Sequence, residues 1–127
     1  MTRNVISPTP LCLRGDTDVH QHASKIRELN DAFRSSFVGG AIVITAGIEA
    51  LPADLKSRVL KKVRDFCDFD ADNDPHGEHD FGAFELSNQR FFFKIDYYDR
   101  SMDMGSPDPT DPGQTTRVLT IMLAQEY

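Results

Sequence analysis

The sequence predicts an α+β fold: two helices packed on one face of a mostly antiparallel four-stranded sheet, in the order α-β-α-β-β-β. Three observations carry the prediction. Two segments repeat apolar residues at spacings of three and four, the period of a helix with one buried stripe. One long segment, Arg90 to Tyr98, alternates between two sets of side chains with the period of a strand. Two shorter runs, Ala41 to Thr45 and Thr115 to Ala124, are rich in β-branched residues.

The first sixteen residues contain Pro8, Pro10 and Gly15 and show no period. Residues 1–18 are therefore expected to form a flexible arm, with one α+β domain over residues 19–127. Asp16, Thr17 or Asp18 can cap a helix whose stripe is Val19, Ala23, Ile26, Leu29, Phe33 and Phe37. Gly39-Gly40 closes it. The following run, Ala41-Ile42-Val43-Ile44-Thr45, is apolar on both faces, which predicts a strand inside the sheet. Pro52 suits the first turn of a second helix that buries Leu55, Val59, Leu60, Val63 and Phe66. Its basic residues, Lys56, Arg58, Lys61, Lys62 and Arg64, are expected in solvent, several near the C-terminal end of the dipole.

Residues 67–80 have neither period and predict a loop. Phe81 to Leu86 reads as a strand, and Ser87-Asn88-Gln89 as a hairpin turn in which Asn88 tolerates a left-handed backbone. On the next strand Phe91, Phe93, Ile95 and Tyr97 share one face, and Phe92, Lys94, Asp96 and Tyr98 the other. Three prolines stiffen the loop over 99–113. The last three strands form a meander.

The chain has 127 residues, 39% hydrophobic and 27% charged, which suits one globular domain with a core that needs no staples. No apolar run approaches the roughly 20 residues of a bilayer span, and the N-terminus lacks a leader's apolar stretch, so no membrane contact and a cytoplasmic location are expected. The two cysteines, Cys12 and Cys67, stand alone, as free thiols do. The net charge of −6 is unevenly spread: residues 65–112 hold thirteen acids and three bases, so that segment carries −10 and the remainder +4. Phosphates would be repelled from the acidic half, which argues against general nucleic-acid binding there and favours a cation or a basic protein surface.

That segment contains the chemistry. Asp68, Asp70, Asp72, Asp74, His76, Glu78, His79 and Asp80 fall within thirteen positions. The spacing fails the calcium-loop test, because a loop starting at Asp68 has Asn73 where glycine is required and His79 where a bidentate glutamate belongs. It also fails the HExxH test, with Gly82 three positions beyond His79 and no helix expected. A looser set of Glu78, His79, Asp80 and Asp96 could hold a divalent cation and activate water, as a metal-dependent hydrolase or nuclease requires. Alternatively, the Asp and Asn side chains of the loop satisfy local backbone groups, with Asp80 and His79 tying it to the sheet. Ser106 lacks the context of a nucleophile elbow, and no complete catalytic set is present.

The motifs Asn73-Asp74-Pro75-His76-Gly77-Glu78-His79-Asp80-Phe81-Gly82, Phe92-Phe93-Lys94-Ile95-Asp96-Tyr97-Tyr98-Asp99, Gly105-Ser106-Pro107-Asp108-Pro109 and Thr116 to Ala124 carry a resemblance. Over roughly residues 30–127 the chain resembles a bacterial family of uncharacterised proteins, domain of unknown function 3768, met in alphaproteobacteria and often on plasmids. Members commonly carry an aromatic residue where this chain has His76. The resemblance implies an accessory role in plasmid maintenance, transfer or defence evasion, and it brings no activity with it.

The expected function is therefore a binding module that engages a protein partner. Asp74, Glu78, His79, Asp80, Asp96, Tyr98 and Asp99 are expected to line one acidic, aromatic-edged cleft. Mimicry of DNA by arrayed carboxylates is a variant of this expectation. The metal-dependent enzyme is the alternative.

Overall fold

The computed structural model describes residues 21–127. The expected arm over 1–18, the start of the first helix at Val19, and Cys12 lie outside the described residues. Helix α1 runs Gln21–Ser36, strand β1 Gly40–Ile44, a single helical turn α2 Ala46–Glu49, and helix α3 Ala53–Asp65. Strands β2 (Phe81–Leu86), β3 (Gln89–Tyr98) and β4 (Thr116–Leu123) follow, with short 3-10 turns at Pro112–Gln114 and Ala124–Glu126. The four strands form one sheet in the order β1-β4-β3-β2. β2, β3 and β4 make the expected antiparallel meander, and β1 pairs with β4 in parallel.

The alternation along β3 decides the layers. Phe91, Phe93 and Ile95 are buried on the face that meets the helices, together with Leu119 and Ile121 of β4. Phe33 from α1 and Val59 and Val63 from α3 complete that core. Each fully buried side chain of this size contributes on the order of 1.5–3 kcal/mol by leaving water. Gly82 makes the layer close-packed, since a Cβ there would lie 2.4 Å from the Phe93 ring and 2.9 Å from that of Phe66.

The expected interior position of β1 is corrected. Its only partner among the described residues is β4, so it lies at the sheet edge, and Val43 on its outer face is 44% exposed. The interior strand is β4, whose Val118 and Met122 are buried on one face and Leu119 and Ile121 on the other. An apolar run alone does not say which of two such strands lies inside. The end of α1 also differs from expectation. Phe37, rather than a glycine, takes the left-handed backbone (φ 61°) after the last turn, its N–H reaching the Phe33 carbonyl. Its ring is held under Arg64, whose guanidinium carbon lies 5.1 Å from the centroid, and packing there offsets the strain. The hairpin of β2 and β3 turns on Ser87 and Asn88, both left-handed, as a two-residue type I′ connection requires. No helix of the described residues is long and apolar enough to cross a membrane.

Candidate functional site

One polar stripe of α1 is buried, while His22, Lys25, Glu28 and Ser36 are exposed. Arg27, Asn30, Asp31 and Arg34 recur at helical spacing beside the apolar stripe, and none is more than 7% exposed. They sit where the end of α3, the loop over 67–80 and the far ends of β3 and β4 come together.

Asp31 is the hub. Its Oδ1 accepts from Arg34 Nη2 at 2.8 Å, and both of its oxygens lie 3.0 Å from His79 Nδ1. A carboxylate offers only lone pairs, so Nδ1 is the proton-bearing nitrogen of this contact. Arg34 Nη1 donates onward to the carbonyls of Val63 and Phe66 at the end of α3, where the Val63 carbonyl also accepts the Phe66 N–H. One guanidinium thus closes α3 and joins it to α1. On the other side, His79 Nε2 lies 3.6 Å from Asp74 Oδ2, while Asp74 Oδ1 accepts the backbone N–H groups of Glu78 and His79 at 3.0 Å each. The ring of Phe69 stacks on the imidazole, centroids 3.8 Å apart and planes within 5°. His79 has a left-handed backbone (φ 57°), a conformation that the side-chain contacts hold in place.

Asn30 organises a second cluster. Its Nδ2 donates to the Glu78 carbonyl (3.0 Å) and to the Tyr97 hydroxyl (2.8 Å), and its Oδ1 accepts from Arg117 Nε (2.7 Å). Tyr97 donates in turn to Glu78 Oε1 at 2.9 Å. Burial pushes the Tyr97 phenol well above its ordinary range, so it acts as a neutral hydrogen-bonding group. Arg117 donates to the Pro109 carbonyl at 2.6 Å, which pins the 99–113 loop to the same cluster. Burial lowers its pKa from the usual value. Asp80, half-buried beside Glu78 and Asp74, has its carboxyl pushed up first by burial and then by Glu78.

The outer part of the loop is a self-contained turn. Asp70 Oδ1 accepts from the N–H groups of Asp72 and Asn73, Asn73 Oδ1 accepts from the Asp70 N–H, and Asn73 Nδ2 donates to the Asp68 carbonyl. The expected use of Asp and Asn to satisfy local backbone groups is seen here and at Asp74. The tie made by His79, however, runs to α1 and not to the sheet.

The seven expected binding residues do not line one cleft. Asp74, Glu78, His79 and Asp80 gather at the helix-covered end of the sheet. Asp96 and Tyr98 belong to the opposite face of β3, where Asp96 is paired with Lys94 at 2.8 Å. Asp99 caps a turn beyond the strand, accepting from Ser101 Oγ and the Asp103 N–H. The alternative metal set of Glu78, His79, Asp80 and Asp96 is split by the sheet in the same way. Among the described residues no three His, Cys, Asp or Glu side chains are grouped to hold a metal ion. Nor is the imidazole placed for proton transfer to a substrate: both nitrogens face carboxylates and Phe69 covers the ring. The arrangement can fasten a loop; it offers no open coordination or reaction position.

Asn30, Asp31, Arg34 and Arg117 escaped the apolar-stripe analysis because they are polar. The three on α1 lie with Arg27 on a second stripe at i, i+3, i+4 and i+7, whereas Arg117 on β4 carries no such periodic signal.

Residues 44–126 match the model of the family described as Protein of unknown function (DUF3768). No curated protein and no solved structure matches the chain. The chain belongs to that family.

Proposed function

From this membership and from the buried latch that Asp31, His79 and Asp74 form between α1 and the loop, we propose that the protein is a non-catalytic binding module whose ordered acidic loop, residues 67–80, engages a basic surface on a protein partner. The supporting observation is a contrast within one loop. Asp68, Asp70 and Asp72 are exposed, whereas Asp74 and His79, which anchor the loop, are buried. A loop fixed beforehand loses little conformational freedom on binding, so exposed charge on it is more effective than the same charge on a mobile tail. Carboxylates in that position attract cationic surfaces and repel phosphates. The module belongs in the cytoplasm of a bacterium, in a plasmid-associated accessory role. The metal-dependent hydrolase or nuclease has no comparable support, because its four ligands lie on two sides of the sheet.

Affinity capture from an extract of the source cells tests the proposal, with the wild-type chain and the Asp68→Asn/Asp72→Asn variant as paired baits. Neither carboxylate holds the loop together, so the variant keeps its shape. The proposal predicts a protein retained by the wild type, lost from the variant and eluted by raised salt. Equal retention by both baits would refute it.

A further inference from the structure

A second surface has the opposite sign. Between the C-terminal half of α3 and the edge strand β2 lies an open groove of about 620 Å³, in the size range of ligand sites. Phe66, Phe84 and Leu86 form its floor, and Arg58, Lys61 and Lys62 outnumber Asp65 and Asp68 among the charged side chains that border it. Lys61 is engaged by Asp65 at 2.8 Å, while Arg58 and Lys62 make no ion pair among the described residues. An apolar floor beside unpaired cations fits a segment that presents apolar side chains next to a carboxylate.

The chain carries such a segment itself. In the turn after β3, Met102 is 48% and Met104 70% exposed, with exposed Asp103 between them. These are two of the most exposed large apolar side chains among the described residues. The turn is rigid. Asp99 Oδ1 accepts from Ser101 Oγ and the Asp103 N–H, the Met102 N–H reaches the Asp99 carbonyl, and the Asp99 N–H reaches the Met104 carbonyl. A knob presented in this way binds with little backbone left to order. It cannot fill the groove of its own chain. Phe84 pairs with Phe91 at the start of β3, and the turn follows Tyr98, about 23 Å further along the strand at 3.3 Å per residue.

We propose that the Met102-Asp103-Met104 turn of one copy seats in the α3–β2 groove of a second copy, Asp103 meeting Arg58 and Lys62 and a methionine covering Phe84 and Leu86. Methionine adapts to an irregular apolar floor better than a branched side chain does. The contact is head-to-tail, so it leaves a free groove at one end of a dimer and a free knob at the other, and it grows into a ring or a filament. It differs from the acidic-loop proposal in its partner and in the cations it uses, although Asp68 of that loop borders the groove.

Sedimentation velocity on the full chain from about 5 to 500 µM tests it, a range chosen for a contact smaller than a standard interface. The wild type should sediment faster as concentration rises, with at least tenfold weaker association in high salt. The knob variant Asp103→Lys/Met104→Asp and the groove variant Arg58→Glu/Lys62→Glu should each stay monomeric. All four substituted side chains are exposed, and circular dichroism verifies the folds. A mixture of the two variants should form a dimer and stop there, since it contains one intact groove and one intact knob. A monomeric wild type over the whole range, or self-association that survives either variant, would overturn the proposal; so would a mixture that stays monomeric.

Discussion

His79 and Asp31, forty-eight positions apart in the sequence, meet inside the protein with Nδ1 3.0 Å from both carboxylate oxygens. The pair joins the acidic loop to α1, and Arg34 extends it to the last carbonyls of α3. Asp31 is 1% exposed, so its two cationic or proton-donating partners are its solvent. Breaking such a cluster at one member strands the others in a medium that cannot hydrate them. Asp31→Asn is predicted to destabilise the fold by about 3–5 kcal/mol, measured by urea unfolding. Asp31→Ala and His79→Ala should be strongly non-additive, with a coupling of about 1 kcal/mol or more in a double-mutant cycle.

Tyr97→Phe removes one oxygen and leaves Asn30 Nδ2 and Glu78 Oε1 each short of a partner. A loss of about 1–3 kcal/mol is expected from the same unfolding measurement, since the buried groups left behind bear the desolvation cost.

Asp80 has the opposite sign. Burial and Glu78 raise its carboxyl above the ordinary 3.8. An acid whose folded pKa is raised favours the native state when protonated. Its contribution is fully present below 3.8 and is lost as pH rises through the raised value. At neutral pH the wild type therefore carries a penalty that Asp80→Asn does not. Thermal unfolding should show the variant melting at a higher temperature than the wild type at pH 7. The advantage should vanish when both are measured below pH 3.8.

Glu126 gives the acid-side counterpart. Thr45 Oγ1 first, then the N–H groups of Leu123 and Gly47, hold its carboxyl below the ordinary 4.5. A depressed acid stabilises the fold above its unfolded pKa, and the contribution is lost as pH falls through the folded one. Glu126→Gln should lower the melting temperature at pH 7 and have a shrinking effect as pH drops below 4.5.

The hairpin turn offers a gain. Ser87 and Asn88 both occupy left-handed conformations (φ 53° and 63°). Asn88→Gly removes the remaining steric cost and makes the turn better suited to type I′ geometry, and up to about 1 kcal/mol of stabilisation is expected in urea unfolding.

Much of the fold is legible in the sequence because its signals are periodic. The alternation from Phe91 to Tyr97 assigned the core face of β3 correctly, and Val59 and Val63 marked the buried side of α3. Strand order was harder to read. Ala41 to Ile44 and Val118 to Leu123 are both apolar on both faces, and only the register with β3 places β4 inside. The candidate site was half legible. The density of Asp and His drew attention to residues 74–80, but the other half of the latch is Asn30, Asp31 and Arg34, contributed by a helix whose polar residues a periodicity analysis assigns to solvent. Asp96 shows the converse limit: its parity on β3 places it on the face opposite Tyr97, so nearness to the loop in sequence gave no nearness in space.

Amide hydrogen exchange across residues 67–80, in the wild type and in His79→Ala, tests the central claim most directly. If the buried latch holds the acidic loop, the Glu78 and His79 amides bonded to Asp74 are protected in the wild type. In the variant, residue 79 and Glu78 lose that protection, while Phe93, Leu119 and Ile121 in the sheet keep theirs. Fast exchange at Glu78 and His79 in the wild type, or protection unchanged by the substitution, would contradict the account.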